Sequence, residues 1–215
     1  MLSFFCRAES APWVGDTLDN FACSGGGQGY GPFDYTKRAS LDKYNLSIVE
    51  RKHFTANVEM LVKGESGRLI EDLDYTLRAW PNHPRALNSI MRYQFDLDNN
   101  PNNKKPNLTS PVECYFQRAI NFSRKDTTAM RMYGYFLKKS GHLNRAKFVY
   151  KMGLSIAPEN RALAYSYSFL LIDLKEYEEA LKYAHLVYSN GAAPNQLKDK
   201  LKRLDKWRDV KKQEN

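Results

Sequence analysis

A repeat of 34 residues is the feature that most constrains how this 215-residue chain can fold. When the sequence is shifted by 34 against itself, large residues meet large ones and small residues meet small ones. The matched pairs are Phe116 with Tyr150, Ala119 with Gly153, Tyr133 with Tyr167, Gly134 with Ser168, Leu137 with Leu171, Leu143 with Tyr177, and Ala146 with Ala180. A period of this length is typical of stacked helical hairpins that bury a continuous core.

Each period contains two apolar faces with helical spacing. The first face is formed by Met130, Tyr133, Gly134 and Leu137, and the second by Ala146, Val149, Tyr150 and Gly153. Residues three and four apart lie on one side of a helix, so each face predicts an amphipathic helix. Gly141 marks the end of the first helix, and Pro158 ends the second.

These offsets resemble the tetratricopeptide repeat (TPR). Residues 127–160 match nearly every position of its pattern, residues 161–191 form a second copy that ends at Asn190-Gly191, and residues 84–126 form a copy split by the polar loop DNNPNNKKPNLTS. The resemblance implies an all-α fold: a TPR-type solenoid of helical hairpins, with about three repeats and a C-terminal capping helix.

The repeat pattern divides the chain into three regions. We expect an irregular, glycine-containing segment over residues 1–66, which includes a leader remnant if the start is a truncated signal, a TPR array over 67–191, and a capping helix over 194–213. Leu197, Leu201, Leu204 and Trp207 lie on one face of the capping helix. A leading helix is expected over residues 68–80, and the run Ser110-Pro111-Val112-Glu113 predicts a capping box with proline at the first helical position.

The sequence is compatible with more than one cellular compartment. No run approaches the roughly 18 apolar residues of a membrane span. The start, MLSFFCRAESAPW, is similar to the end of a secretory signal but lacks the basic start and the full apolar stretch, so a truncated signal and an ordinary terminus both fit. The layout of CSGGGQGYGPFDY, VERKHFT and DLDYTLRAWPNHPRAL resembles an uncharacterised group of exported Gram-negative TPR proteins, which implies a periplasmic location; a cytoplasmic one is the alternative.

The three cysteines are Cys6, Cys23 and Cys114, and their spacing fits neither a metal knuckle nor a redox pair. A bridge between Cys23 and Cys114 would close a loop of about 90 residues and stabilise the fold by about 3–5 kcal/mol. It would require an oxidising compartment. Two unrelated thiols are the alternative.

No motif in the sequence indicates an enzyme, a cofactor or a metal. The four histidines, His53, His83, His142 and His185, stand in separate contexts without ligand spacing. There is no G-x-S-x-G, and the carboxylates are typical of solvated helix faces. We therefore expect a non-catalytic protein without a cofactor.

By resemblance, TPR arrays bind extended peptides or helices in a concave groove lined by the first helix of each repeat. The matching positions here are Arg85, Asn88, Arg92, Thr128, Arg131, Tyr135, Lys138, Tyr165 and Phe169. This cationic and aromatic set favours a protein or peptide partner with acidic and aromatic character. Arg92 and Tyr135 depart from the family's carboxylate clamp, which argues against chaperone C-termini, and an ordinary solvated surface is the alternative.

The net charge of +9 and the pI near 9.3 raise a second hypothesis, an RNA- or anion-binding protein that uses the basic C-terminal helix. The acids interspersed over residues 196–212 favour a capping helix with a solvated outer face instead. Nucleic acid is thus the less favoured partner.

The stretch CSGGGQGYGPFDY, residues 23–35, lacks what a phosphate loop needs, because no helix start with the required residues comes after it. We expect it to lie on the array, with Phe33 and Tyr35 buried and Asp34 near an arginine, either as part of the fold or as a plug for the groove. A flexible leader that touches nothing is the alternative.

Overall fold

A computed structural model describes residues 10–39, 43–100, 102, 104–189 and 193–209. Within these ranges every regular element is helical, apart from one isolated β-bridge between Asp16 and Ala22, so the all-α prediction is confirmed. After a 3₁₀ turn at Tyr35–Lys37, the described helices are α1 Lys43–His53, α2 Ala56–Glu59, α3 Leu69–Ala79, α4 Pro84–Asn99, α5 Val112–Phe122, α6 Thr127–Lys139, α7 Leu143–Ile156, α8 Arg161–Asp173, α9 Tyr177–Ser189 and α10 Gln196–Arg203.

The chain folds into two compact units, Met1–Ala129 and Met130–Asn215. The helices predicted from the repeat pattern are present in both. The leading helix is α3, the split copy supplies α4 and α5, and the two further copies supply α6 to α9. The boundaries at residues 66 and 191 stay predictions.

Helix α1 was not predicted, because residues 1–66 were expected to be irregular. It packs on α3, where Val49 is buried with Ala79 and Trp80. Leu46 lies three residues before Val49 and packs on the same cluster, so the signal was one short apolar face. The predicted irregular segment therefore contains a helix that belongs to the core.

The C-terminal helix is shorter than predicted. It ends at Arg203, because Asp205 has a left-handed backbone (φ 54°) and the Lys206 N–H bonds to the Leu201 carbonyl at 2.9 Å. Leu197 and Leu201 are buried, whereas Leu204 is 39% exposed. Residues 210–213 of the predicted helix lie outside the described residues, as do Cys6, the start of the chain to residue 9, and the Asn190-Gly191 end of the last repeat.

The predicted capping box at α5 is wrong. Pro111 is the N-cap residue rather than the first helical residue, and no side-chain cap is formed. The Ser110 hydroxyl instead donates to the Ser24 carbonyl at 2.6 Å, and Glu113 accepts the Leu18 N–H at 2.8 Å. The polar side chains at this helix start thus hold the N-terminal segment.

Within the second unit, α6 and α8 end in the same way, 34 residues apart. Gly141 and Lys175 both have left-handed backbones, with φ of 83° and 61°. In each case the N–H of the next residue closes the turn. His142 donates to the Leu137 carbonyl and Glu176 to the Leu171 carbonyl, both at 2.8 Å. Glycine adopts this conformation without steric cost, whereas lysine does not.

Replacing Lys175 with glycine should therefore raise the free energy of unfolding by up to about 1 kcal/mol, since the left-handed cost is removed. Gly141→Ala, at the equivalent turn, should lower it by a similar amount. Urea denaturation of both variants measures this. Destabilisation by Lys175→Gly would contradict the shared turn geometry.

Residues 10–35 cover the C-terminus of α3, where helix carbonyls lack partners within the helix. Arg118 on α5 donates to the Leu77 carbonyl at 2.6 Å, and the Gln28 side chain donates to the Arg78 carbonyl at 2.9 Å. The Phe33 N–H donates to the Ala79 carbonyl at 2.8 Å. The glycine-rich segment is therefore part of the fold and not a leader without contacts.

A disulfide joins Cys23 to Cys114 on α5, with 5.4 Å between the Cα atoms. The predicted bridge is thus present in the structure. It pins the start of the glycine-rich stretch to a buried helix position, since Cys114 is fully buried.

Two glycines of the stretch allow close packing. A Cβ on Gly25 would lie 2.3 Å from the Trp13 ring, whose indole N–H donates to the Gly26 carbonyl at 2.9 Å. Gly31 has φ of 89°, and a Cβ there would lie 2.5 Å from the Ala79 carbonyl oxygen. Gly27 has open space around it, with no atom within 4 Å of such a Cβ.

Gly25→Ala should lower the free energy of unfolding by about 1–3 kcal/mol, because the Trp13 ring must move. Gly27→Ala is the matched control and should be neutral or stabilising by a few tenths of a kcal/mol. Thermal and urea unfolding of the oxidised protein measure both. Equal effects of the two substitutions would mean that residues 23–35 do not pack as described.

Candidate functional site

The residues predicted to form an N-terminal plug lie at the junction of α3 and α4. The Phe33 ring contacts Trp80 with centroids 5.1 Å apart, and the Tyr35 ring contacts His83 at 4.6 Å. Both rings are half-buried rather than fully buried. That these residues cover a groove stays a prediction.

Asp34 is held by amide and hydroxyl donors rather than by the predicted arginine. Asn82 donates to its carboxylate at 2.8 Å and Ser123 at 3.0 Å. The Asn82 amide also donates to Asp126 at 3.0 Å, so one buried side chain links two carboxylates. Burial acts to raise the pKa of Asp34, but the hydrogen bonds from Thr36, Asn82 and Ser123 outweigh it and hold that pKa below its usual value.

His83 forms a second polar cluster beneath Tyr35. The ring is fully buried; Nδ1 accepts the Ala86 N–H at 3.1 Å, and Nε2 lies 3.1 Å from a Glu50 carboxylate oxygen. The neutral tautomer with a proton on Nε2 satisfies both contacts, and it makes His83 the N-cap of α4. Burial lowers the pKa of His83, more strongly than the hydrogen bond to Glu50 raises it.

In the first unit, the predicted groove cations contact the chain's own glutamates. Arg85 donates to the Glu59 carboxylate from Nε at 2.8 Å and also pairs with Glu50, and Arg92 donates to the Glu59 carbonyl at 3.1 Å. Helix α2 therefore contacts this side of α4. Asn88 is half-buried on the same helix. Thr128 is exposed, and its N–H donates at 2.9 Å to the carboxylate of Asp126, the residue before α6.

In the second unit, α8 presents an aromatic pair. Tyr165 and Phe169 are four residues apart, and their rings meet edge to face at 5.1 Å. The Tyr165 hydroxyl donates to the Gln196 side chain at the start of α10, at 3.3 Å. Both rings are half-buried, so one edge of the pair stays accessible.

Two lysines converge on this pair from different helices. Lys138 on α6 and Lys200 on α10 place their ammonium groups 5.8 and 5.5 Å from the Phe169 ring centre. Both also pair with Asp173 at the end of α8, at 2.8 and 3.0 Å. Burial acts to raise the pKa of Asp173, but the two lysine hydrogen bonds hold it below its usual value.

We name the residues Lys138, Tyr165, Phe169, Asp173 and Lys200 the α8 surface. Three of them were predicted from the repeat offsets. Asp173 could have been found, because it lies four residues after Phe169 on the same helix face. Lys200 could not, since the packing of α10 on α8 is a tertiary contact.

The two remaining predicted residues of the second unit lie on α6. Tyr135 is 41% exposed, with the Lys139 ammonium 6.0 Å from its ring centre. Arg131 is half-buried, and its charge acts to lower the pKa of Tyr150, although burial, the larger effect, raises it.

Among the residues that the structure describes, no three His, Cys, Asp or Glu side chains form a group that could hold a metal ion. Across the same residues, no helix is long and apolar enough to cross a membrane.

Of three comparisons with known proteins, one gives a match. No protein-family model matches the chain, and no curated protein sequence matches it. Among solved structures, the chain is similar to one described as "Crystal structure of MamA", with a TM-score of 0.48 and 17% identity over 79% of this chain and 87% of that one. At this level the similarity says nothing about which residues bind a partner.

The His83 cluster makes stability depend on pH. Because the folded-state pKa of His83 lies below its unfolded value near 6.5, its contribution is complete above that value and is lost as pH falls towards the folded pKa. We expect a loss of up to about 2 kcal/mol between pH 7 and 5. The pKa of Glu50 is lowered, first by its bond to His83, so its own contribution is lost at lower pH in the same direction.

His83→Asn tests this, because asparagine can still cap α4 but does not titrate. Urea denaturation at pH 7 and pH 5 should show a smaller stability loss in the variant than in the wild type. The same loss in both proteins would exclude His83 as the source.

Proposed function

We propose that the protein is a non-catalytic interaction module, which binds an extended peptide or protein segment through the α8 surface. The observation that carries this proposal is the convergence of Lys138 and Lys200 on both Phe169 and Asp173. Two cations beside a half-buried aromatic pair suit a partner that places a carboxylate next to an apolar or aromatic side chain.

In this proposal the partner's carboxylate exchanges with Asp173. Asp173 is 36% exposed, and the side chains of Lys138 and Lys200 are 19% and 34% exposed, so the ion pairs lie at the border of solvent. A partner carboxylate would take over the lysine contacts, and its neighbouring side chain would lie on Tyr165 and Phe169. Asp173 would then turn towards water at low cost.

The other predicted groove residues differ in the part that we assign to them in binding. Arg85 pairs with two carboxylates, those of Glu50 and Glu59, and Arg92 donates to the Glu59 carbonyl, whereas Lys138 shares the single, exposed carboxylate of Asp173 with Lys200. We therefore place the recognition of a carboxylate on Lys138 rather than on α4. Arg131 and Tyr135 would extend the surface along α6, and Asn88 and Thr128 stay predicted groove residues of the first unit. A groove that uses all nine residues remains a prediction.

Two groups with shifted pKa values make contacts within the protein itself, and this favours binding over catalysis. Burial raises the pKa of Tyr115, whose hydroxyl donates to Asp74 at 2.5 Å, and lowers the pKa of His83, which caps a helix. Both groups serve internal contacts. We also propose an exported, oxidising location, which the disulfide between Cys23 and Cys114 supports.

Fluorescence anisotropy with short labelled peptides tests the site. A peptide with Asp-Phe pairs should bind at low salt, and its Asn-Phe counterpart should bind more weakly. Lys138→Ala should weaken binding of the Asp-Phe peptide by about tenfold, since one of the two cations that bind the partner's carboxylate is lost. Lys182→Ala is the control, because Lys182 is exposed on α9 and contacts Tyr183 instead.

The Asp173→Asn variant tests whether the partner's carboxylate replaces that of Asp173 at the two lysines, or whether Asp173 has only a structural role. Removal of the internal competitor should tighten binding of the Asp-Phe peptide. Weaker binding in this variant, with an unchanged circular dichroism spectrum, would contradict the exchange.

The rival hypothesis, RNA or anion binding by the basic C-terminal helix, is tested by salt. The acids Asp199, Asp205 and Asp209 lie among the basic residues of this segment and reduce its attraction for a polyanion. Retention on heparin above about 0.5 M salt would favour the rival over the α8 surface.

A further inference from the structure

We propose that the chain binds a second copy of itself, through a rigid loop at residues 15–23 that docks on the α8 surface of the other copy. We name these residues the Phe21 loop. The inference deepens the proposed function, on which it rests, by naming the partner. The inference rests on three properties of the loop: its fixed conformation, the exposure of Phe21 and its negative charge.

Backbone hydrogen bonds close the Phe21 loop. The Cys23 N–H donates to the Gly15 carbonyl at 2.9 Å and the Thr17 N–H to the Phe21 carbonyl at 2.7 Å. The Phe21 N–H donates to the Thr17 hydroxyl at 3.1 Å, and Asn20 has a left-handed backbone with φ of 64°. This is a closed turn with a defined shape.

Three anchors fix the loop to α5. They are the disulfide to Cys114, the Glu113 carboxylate that accepts the Leu18 N–H at 2.8 Å, and the Gln117 amide that donates to the Asp16 carbonyl at 2.8 Å. Each involves a different residue of the loop. A loop held this way loses little conformational entropy on binding.

This ordered loop presents its largest side chain to solvent. Phe21 is 72% exposed, whereas Cys23 at the end of the loop is buried and bonded to Cys114 on α5. A rigidly presented aromatic side chain is the usual form of an interface anchor. Asp16 and Asp19, five and two residues before Phe21, are both exposed.

The charge of the loop is opposite to that of the second unit. Residues 10–36 contain three Asp and no Lys or Arg. Residues 130–215 contain 17 Lys and Arg against 9 Asp and Glu, a net charge of +8, whereas residues 1–129 have 16 against 15, a net charge of +1. Almost the entire excess of positive charge therefore belongs to the unit that contains the α8 surface.

The loop thus offers the chemistry that the α8 surface fits: a carboxylate two residues from an aromatic ring. Asp19 would take the place of Asp173 between Lys138 and Lys200, and Phe21 would lie on Tyr165 and Phe169. The two patches are different parts of the chain, so the contact is head-to-tail. Such contacts build rings or open chains rather than two-fold dimers.

Sedimentation velocity of the oxidised, full chain tests the proposal. At about 100 mM salt, the weight-average sedimentation coefficient should rise with protein concentration up to about 100 µM, and higher salt should reverse the rise. Phe21→Ala should weaken the association by about tenfold or more. Phe148→Ala is the matched control, because Phe148 is 70% exposed on α7, outside both patches.

A charge exchange identifies the surface that receives the loop. Asp19→Lys and Lys138→Asp should each weaken the association, and a mixture of the two variants should associate better than either alone. A chain that stays monomeric at every concentration, or an association that Phe21→Ala leaves unchanged, would overturn the inference.

These outcomes are separate from those of the proposed function. If the wild-type chain is monomeric but binds the Asp-Phe peptide through Lys138, the α8 surface stands and the self-association falls. If it associates through Phe21 while Lys138→Asp has no effect, the loop docks elsewhere, and this inference falls as stated.

Discussion

The buried guanidinium of Arg118 is the interaction on which the first unit depends. Its side chain is 2% exposed, and it donates to the carbonyl oxygens of Ala11 at 2.7 Å and Leu77 at 2.6 Å and to the Gln28 side chain at 2.7 Å. Burial lowers its pKa to about 10, so it keeps its charge at neutral pH. The planar fork of arginine reaches three chain segments at once, which a lysine could not do. The positive charge also lies at the C-terminus of α3, where the helix dipole favours it.

This arrangement explains why the N-terminal segment has its composition. A chain that approaches helix carbonyls closely must leave out side chains at the points of contact, and Gly25 and Gly31 stand at two such points. Trp13 fills the space above Gly25, and its ring meets Tyr115 at 5.0 Å. What resembles a phosphate loop or a linker in the sequence is thus a helix cap, whose glycines are set by packing.

The sequence predicts the repeat helices well because their signals are local. Met130, Tyr133 and Gly134 show helical spacing within one turn, and Gly134 admits the Tyr150 ring, as its position in the pattern indicates. The misses have a different origin. Arg118 lies 107 residues from Ala11, and Glu113 lies 95 residues from Leu18, so neither contact has a pattern along the chain. In the α8 surface, Lys138, Tyr165 and Phe169 follow from the repeat, whereas Asp173 was missed and Lys200 depends on how α10 packs.

Asp173 determines what kind of binding site the α8 surface can be. Two lysines without a carboxylate would attract any anion, including nucleic acid, with an affinity that rests mainly on charge. With Asp173 in place, a partner gains little from its carboxylate alone, since one ion pair replaces another. The net gain must come from the apolar side chain that covers Tyr165 and Phe169 and excludes water from the exchanged pair. An internal carboxylate therefore shifts the site from attraction of charge towards recognition of a carboxylate and a ring together.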